Sequence, residues 1–405
     1  SPGASPATPS ATPTKPTATT TPPSATSTTT AATPSKPQSP KPHTALSDLA
    51  GRNIGIIVND PNRAKATDIL NNLISANQIE LNSASDVVSA MGEGSIQAAC
   101  VDRSIYRLWA EHEPEFFTGI EVVKTFRMKI TPDPPQPISD DPATPFIVYI
   151  SGIDTSEGLD EVGRSDSNML FAVNPATGRI ALINTPRDYY VQLHNTSWYP
   201  DKLTHAGTYG IDMSVGTMED LYDIHIDYWV RINFSSVVDI VNAVGGIDVD
   251  VPLAFRCYAG AYTWDGYQFD VGLTHMDGSQ ALCFSRERKA FEDGDRQRGK
   301  NQQAVIEALI EKLSRPSILL NYNAVLNALA PNMETSMPSE RIASLAKRQL
   351  DLGTDWQVTE YSVSGYDDWK PTYSMGSDKM LYVMTPDQAT VDEAKALIDD
   401  VMSGR

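Results

Sequence analysis

The chain has 405 residues, and its 51 acidic against 32 basic side chains give a formal net charge of -19. So acidic a composition excludes a groove that tracks a nucleic-acid backbone, which needs clustered cations to displace counterions. Apolar residues make up 40%, enough for real cores in two or three domains, yet no apolar run approaches the ~20 residues that span a bilayer. No membrane anchor or signal peptide is therefore expected within these residues, and Ser rather than Met at residue 1 suggests a piece excised from a longer protein, so that absence says little about localisation.

Residues 1–42 hold 11 of the 28 prolines and contain no Val, Ile, Leu, Met or aromatic residue, so they cannot build a core. They read, to about residue 44, as a disordered, solvated Pro/Thr/Ser spacer that stands a domain off a surface. Folding is expected from Ala45. Strands are predicted over 53–58, 95–101 and 120–128, with helices over 64–79 and 103–112, which makes residues 45–130 a small α/β accessory domain. A Pro-rich linker, 131–145, follows. From Phe146 the segments FIVYISGID, NMLFAVNP and RIALINTPRD read as buried strands ending in polar clusters. Helices are expected over 215–222, 236–244, 278–284, 296–313, 339–350 and 390–402, with strands near 225–233 and 381–384. The fold class is α/β: residues 146–405 form a mixed sheet flanked by helices, an α/β/α sandwich, behind the small accessory domain.

The densest polar segment is SRERKAFEDGDRQRGKNQQ, residues 285–303. Gly294 to Lys300 matches GxxxxGK, but Asn301 replaces the Mg-binding Ser/Thr and a charged run precedes it instead of an apolar strand, so a nucleotide P-loop is rejected. As a helix the segment places Asp295, Arg298 and Gln302 on one face, continuing to Ile306, Leu309 and Leu313. Asp295 alone reads equally as an N-cap. Arg298 opposes the helix dipole, so a bound anion is favoured there. In extended chain Arg286 and Arg288 point the same way, and with Arg187 and Arg298 they form an anion clamp suited to phosphate; taken alone, the pair is more simply two arginines salted by Glu287 and Glu292. Asp154 and Asp166, at strand ends, suit a shared Mg²⁺ that leaves positions for phosphate oxygens, or else plain turn chemistry. The six histidines show no ligand spacing and there is no GxSxG elbow, so a histidine-centred hydrolase has no support. GEGSIQ at 92–97 lacks the third glycine of a dinucleotide loop.

Taken in order, GID at 152–154, GRSDS at 163–167, TPRDYYV at 185–191, DKLTHAGTYG at 201–210, NFSSVVDIVNAVGGIDVDV at 233–251, MDGSQAL at 276–282 and the 285–303 run resemble the LytR-CpsA-Psr family. The resemblance covers roughly 146–402, and the domain before it resembles the accessory domain of capsule-type members. Ser156 departs from the pattern, standing where many members carry Arg. The resemblance implies an extracytoplasmic, membrane-anchored phosphotransferase that moves a glycopolymer from a polyprenyl-pyrophosphate carrier to peptidoglycan, forming a phosphodiester. It implies Asp154 and Asp166 as Mg²⁺ ligands, and Arg187, Lys202, Arg286, Arg288, Arg298 and Gln302 on the pyrophosphate, with Asp295, Arg187 and Arg288 catalytic. Asp295 would position the arginines or act as base, and Ile306 and Leu309 would line a lipid cleft unless they are plain core. In that extracytoplasmic setting Cys257 and Cys283 are expected to pair and Cys100 to stay reduced and buried. A lipid-pyrophosphate pyrophosphatase and a non-catalytic wall-polymer binding module are the rival readings.

Overall fold

The computed structural model describes residues 45–58, 60, 62–126, 141–153, 163–258, 266–292, 294–319, 325, 327 and 333–405. The Pro/Thr spacer, Asp154, Ser156 and most of the Pro-rich linker lie outside them.

The N-terminal unit runs β1 (Asn53–Ile57), α1 (Arg63–Leu73), β2 (Asn77–Leu81), α2 (Ala84–Gly92), β3 (Ala98–Cys100) and α3 (Arg103–His112), with a parallel sheet in the order β2-β1-β3. Two expectations are corrected here. The first helix does not reach Ile79: Ile74 turns extended at φ -157° and ψ 145°, and NQIEL becomes an edge strand. That strand is apolar only at Ile79 and Leu81, so its polar residues read as a helix's wet face. The third strand is thus β2, and residues 120–126 form none. Helix α2 went unread because it has only nine residues, although Ser83 caps it by accepting from the Asp86 backbone N–H at 3.2 Å. Cys100 is a free thiol as expected, but half-buried rather than buried.

The larger part centres on a six-stranded mixed sheet built from β4 (Phe146–Ile153), β5 (Ser165–Asn174), β6 (Arg179–Thr185), β7 (Tyr228–Asn233), β8 (Met333–Thr335) and β9 (Gln357–Ser362), in the order β8-β7-β4-β5-β6-β9. On one face Tyr149, Leu170 and Ile183 pack against α4 (Ile211–Tyr222) and the C-terminal helix Gln388–Ser403. On the other Val148, Met169 and Leu182 meet Ile306 and Ile310 of the helix Asp295–Leu313 and Leu345 of the helix Ser339–Leu352. Because both faces are covered, the strands are apolar on both sides. The α/β/α sandwich stands as expected.

A hairpin of β10 (Gly365–Thr372) and β11 (Gly376–Pro386) reaches from this sandwich to the N-terminal unit. Met375 and Leu381 share one apolar cluster with Val87, Ile96, Leu108 and Trp109. Trp109 Nε1 donates to the Ser374 carbonyl at 3.0 Å, and Arg164 pairs with Glu111 at 2.8 Å. A cavity of about 20 Å³, room for about one water, lies at this junction, lined among others by Asp60, Asp102, Trp109, Tyr209 and Tyr373. Burial pushes the Asp60 carboxyl up, the Asn62 backbone N–H pulls against that and nearby Asp102 adds to it, leaving it at about 6. Folded Asp60 therefore holds its proton more tightly than an unfolded Asp. Its contribution to stability is complete below the ordinary carboxylate range and is lost as pH rises through about 6. Asp60→Asn is expected to raise Tm at about pH 8 and to leave it unchanged at about pH 4. Calorimetry showing equal shifts at both would contradict this.

Candidate functional site

Asp166 is the second residue of β5, and the turn after β6, TPRD, brings Arg187 against it, with Arg187 Nη1 donating to Asp166 Oδ2 at 3.1 Å. Two short strands, Tyr190–Val191 and Asp201–Lys202, then pair antiparallel, which returns Lys202 to Asp188. Lys202 Nζ lies 2.9 Å from Asp188 Oδ1, while Arg187 Nε lies 3.5 Å from Asp188 Oδ2. Thr204 closes the ring, its hydroxyl donating to Asp166 Oδ1 at 3.1 Å. From the opposite side Arg298, only 8% exposed, donates from Nη2 to the Asp166 carbonyl at 3.5 Å. Arg187 and Lys202 thus interleave with two carboxylates whose side chains are 11% and 13% exposed, and Arg298 meets the main chain of the first.

Close backbone approach makes this possible. Asn184 of β6 sits against Gly299 of the helix Asp295–Leu313, hereafter α7, so near that a Cβ there would lie 2.4 Å from Asn184 Nδ2. A side chain at Gly207 would meet the Gly163 carbonyl at 2.6 Å, so the short helix after Lys202 rests directly on the GRSDS segment. Beneath Asp166 a buried network fixes the strand ends: Ser165 Oγ lies 2.8 Å from Ser151 Oγ, and the Tyr149 hydroxyl donates to Asn168 Oδ1 at 2.6 Å.

Burial alone would push the Asp188 carboxyl up. The charges of Lys202 and Arg187, with the Lys202 hydrogen bond, outweigh it and hold the group below the ordinary carboxylate range. Asp188 stays ionised at neutral pH, and sequence reading missed it although it directly follows Arg187. A second missed group, Asp201 with His205 and Ser374, invites comparison with a hydrolytic triad. Asp201 Oδ1 and Ser374 Oγ both approach His205 Nδ1, at 2.7 and 3.0 Å, and all three side chains are buried. A triad needs acid and nucleophile on different ring nitrogens, so this group is structural.

Arg286 and Arg288 are not an extended pair. Arg286 is the last residue of the helix Gly278–Arg286, half-buried, and Arg288 is exposed two residues later. Between them Glu287 is buried, its Oε1 accepting from the backbone N–H groups of Arg288 at 3.0 Å and Lys289 at 2.8 Å. It shapes the turn rather than salting the arginines. Asn301 donates to the Phe284 carbonyl at 3.1 Å, which ties the end of that helix to the first turns of α7, so Arg286 and Arg298 leave neighbouring turns. The Cys257–Cys283 disulfide forms as expected and anchors the same helix. Residue 294, not 295, is the N-cap of α7, since Gly294 takes φ 50°. Gln302 is half-buried, and Ile306 and Leu309 each pack against apolar clusters, as core would.

Among the described residues no group of three or more His, Cys, Asp or Glu gathers to hold a metal, and no helix is long and apolar enough to cross a membrane. Residues 120–390 match the model of the LytR_cpsA_psr family. A Bacillus cereus protein named polyisoprenyl-teichoic acid–peptidoglycan teichoic acid transferase TagU is 32% identical over 249 residues, 61% of this chain and 76% of the relative. The crystal structure of B. subtilis TagV superposes with a TM-score of 0.54 at 26% identity, covering 64% of this chain and 98% of that one. TagT bound to LIIa-WTA gives 0.51 at 25% identity, over 66% and 94%.

Asp188→Asn removes the one charge that holds both Arg187 and Lys202. At neutral pH it is expected to lower stability by about 1–3 kcal/mol. The parent's advantage should shrink as pH falls below the ordinary carboxylate range, where Asp188 itself protonates. Melting curves across pH check this, and a pH-independent difference would contradict it.

Proposed function

The chain belongs to the LytR_cpsA_psr family, and we propose that it transfers a glycopolymer from a polyprenyl-pyrophosphate carrier to peptidoglycan at the extracytoplasmic face of the membrane, forming a phosphodiester. The observation that carries this is a half-buried cluster in which Arg187 and Lys202 interleave with Asp166 and Asp188 and Arg298 meets the Asp166 carbonyl, three cations to two acids in a chain of net charge -19. A pyrophosphate group supplies the negative charge that such a cluster lacks, and the planar guanidinium fork matches its oxygens. The wall-polymer transferase role is that of the named relatives.

In the reaction an acceptor hydroxyl oxygen bonds to the phosphorus that bears the glycopolymer. The bridging P–O bond breaks, polyprenyl phosphate leaves with the electron pair, and the hydroxyl proton passes to a base. Arg187, Lys202 and Arg298 hold the phosphate oxygens as charge shifts onto the leaving group, the point at which preorganised donors act most strongly. Arg286, Arg288 and Gln302 complete the grip from the adjoining turn; the role of Asp295 in positioning the arginines is carried by the family resemblance alone, its side chain lying outside what the structure describes. Asp166 fits a Mg²⁺ site with Asp154, because each of its oxygens meets a single donor, Arg187 or Thr204, and keeps a lone pair for a cation. Two carboxylates and substrate phosphate oxygens are what Mg²⁺ ordinarily takes. When bound, the ion would neutralise charge on the pyrophosphate.

Two variants test the assignment. Asp166→Asn keeps the shape but removes a charge the cation needs, and transfer of lipid-linked glycan should fall steeply at limiting Mg²⁺ while the chain still folds, with melting curves measured alongside because the change also removes a partner of Arg187. Arg288→Ala, at an exposed position, should lower transfer on the order of 10²-fold without changing the Mg²⁺ dependence. Wild-type transfer by Asp166→Asn would remove this carboxylate from the metal site. Product appearing only as free glycan phosphate would make the reaction hydrolysis.

A further inference from the structure

The open side of the β10–β11 hairpin departs from the common antiparallel pattern of an apolar packed face and a polar wet face. Directly opposed residues share a side. Asp368 with Val383 and Lys370 with Leu381 line the packed side, where Val383 and Leu381 are buried and Lys370 sits 5.1 Å over the Tyr190 ring. Asp367 with Met384, Trp369 with Tyr382, and Pro371 with Met380 line the other, where Met384 is buried in the sandwich core and the open stretch is Asp367, Trp369, Tyr382 and Met380. Here Trp369 is 65% exposed and Met380 55%, so aromatic and thioether surface faces water where polar residues are usual.

These residues are held in order. The Trp369 and Tyr382 rings meet edge to face with centroids 6.2 Å apart. The Tyr382 hydroxyl donates to Asp367 Oδ1 at 3.0 Å. Both ends are fastened to the anion site. Lys202 Nζ, which pairs with Asp188, also lies 5.6 Å from the Tyr382 ring centre. Arg296, two residues from Arg298 on α7, lies 3.7 Å from Asp367 and donates to the Gly365 carbonyl at 3.2 Å.

We propose that this ledge is a carbohydrate subsite that seats the acceptor glycan strand of the wall beside the phosphate clamp. The proposal rests on the transferase reading above and adds to it where the acceptor lies. A pyranose has a face of C–H groups and a rim of hydroxyls. The exposed Trp369 ring buries the first, and the Asp367 carboxylate accepts from the second. A strand of many sugars must enter and leave without obstruction, which an open ledge allows. The donor's first sugar is joined to the pyrophosphate and is therefore confined beside Arg187, on the near side of Lys202.

The test uses the full chain and soluble peptidoglycan glycan strands carrying no lipid, with binding followed by calorimetry. The parent chain should bind. Trp369→Ala should bind roughly tenfold or more weakly with unchanged Tm, Trp369→Tyr should recover most of the affinity, and Asp166→Asn should bind like the parent. In transfer assays Trp369→Ala should raise KM for the acceptor and leave that for the donor alone. Absence of glycan binding by the parent chain, equal binding by Trp369→Ala, or an effect on donor KM only would overturn the subsite, the last by giving the ledge to the donor's sugar. Because glycan binding needs no turnover, failure of the Asp166 assignment would leave this result readable.

Discussion

Cations gathered in a half-buried site repel one another, and at an effective dielectric of about 20 two unit charges about 5 Å apart cost roughly 3 kcal/mol. The site persists without a ligand because Asp166 and Asp188 neutralise Arg187 and Lys202, while Arg298 is held by the Asp166 carbonyl. Most local features serve that interleaving. The paired short strands return Lys202 to Asp188, the Gly299 contact lets α7 deliver Arg298, and the Ser151–Ser165 contact keeps the end of β5 from fraying. In the proposed reaction a phosphate entering this cluster would compete with the two carboxylates for Arg187, so the groups that preorganise the site would also favour release after transfer.

The strands of the sandwich were legible because burial on both faces leaves an apolar run that no polar period interrupts, as in FIVYISGI and NMLFAVN. Helix α7 was legible from a stripe that begins polar and ends apolar, and the structure turns its Arg298 toward β5 as that stripe requires. The edge strand β2 was not legible, since one wet face and few apolar residues resemble the end of an amphipathic helix. Nor was the conformation around Arg286: alternation along the sequence says which way side chains point only if the chain is extended, and Arg286 ends a helix. Glu287 shows the same limit, because its ionic neighbours in sequence were evident while its use of backbone N–H groups depends on burial.

Asp188 was hidden for another reason. Its partner Lys202 is 14 residues away, brought back by strands of two residues each, too short for any periodicity to mark. Such a site is assembled by loop closure rather than by pattern, so only the identity of its charged residues, not their pairing, is written locally.

The hairpin joins two regions that the sequence keeps apart. Its body end is bound to the clamp, where the Met384 backbone N–H donates to the Asp188 carbonyl at 2.7 Å. Its tip is shared with the N-terminal unit through Met375, Leu381 and the Trp109 hydrogen bond to Ser374, reinforced by Lys379 with Glu113 at 2.5 Å. Two-stranded ribbons are marginal alone, so the shape of this one depends on what grips each end. The apolar cluster under the tip draws most of its buried residues from the N-terminal unit. That unit therefore acts on the sandwich through packing: it holds the ribbon whose open face carries Trp369 and Tyr382 and whose base fixes Asp188, the carboxylate on which Arg187 and Lys202 converge.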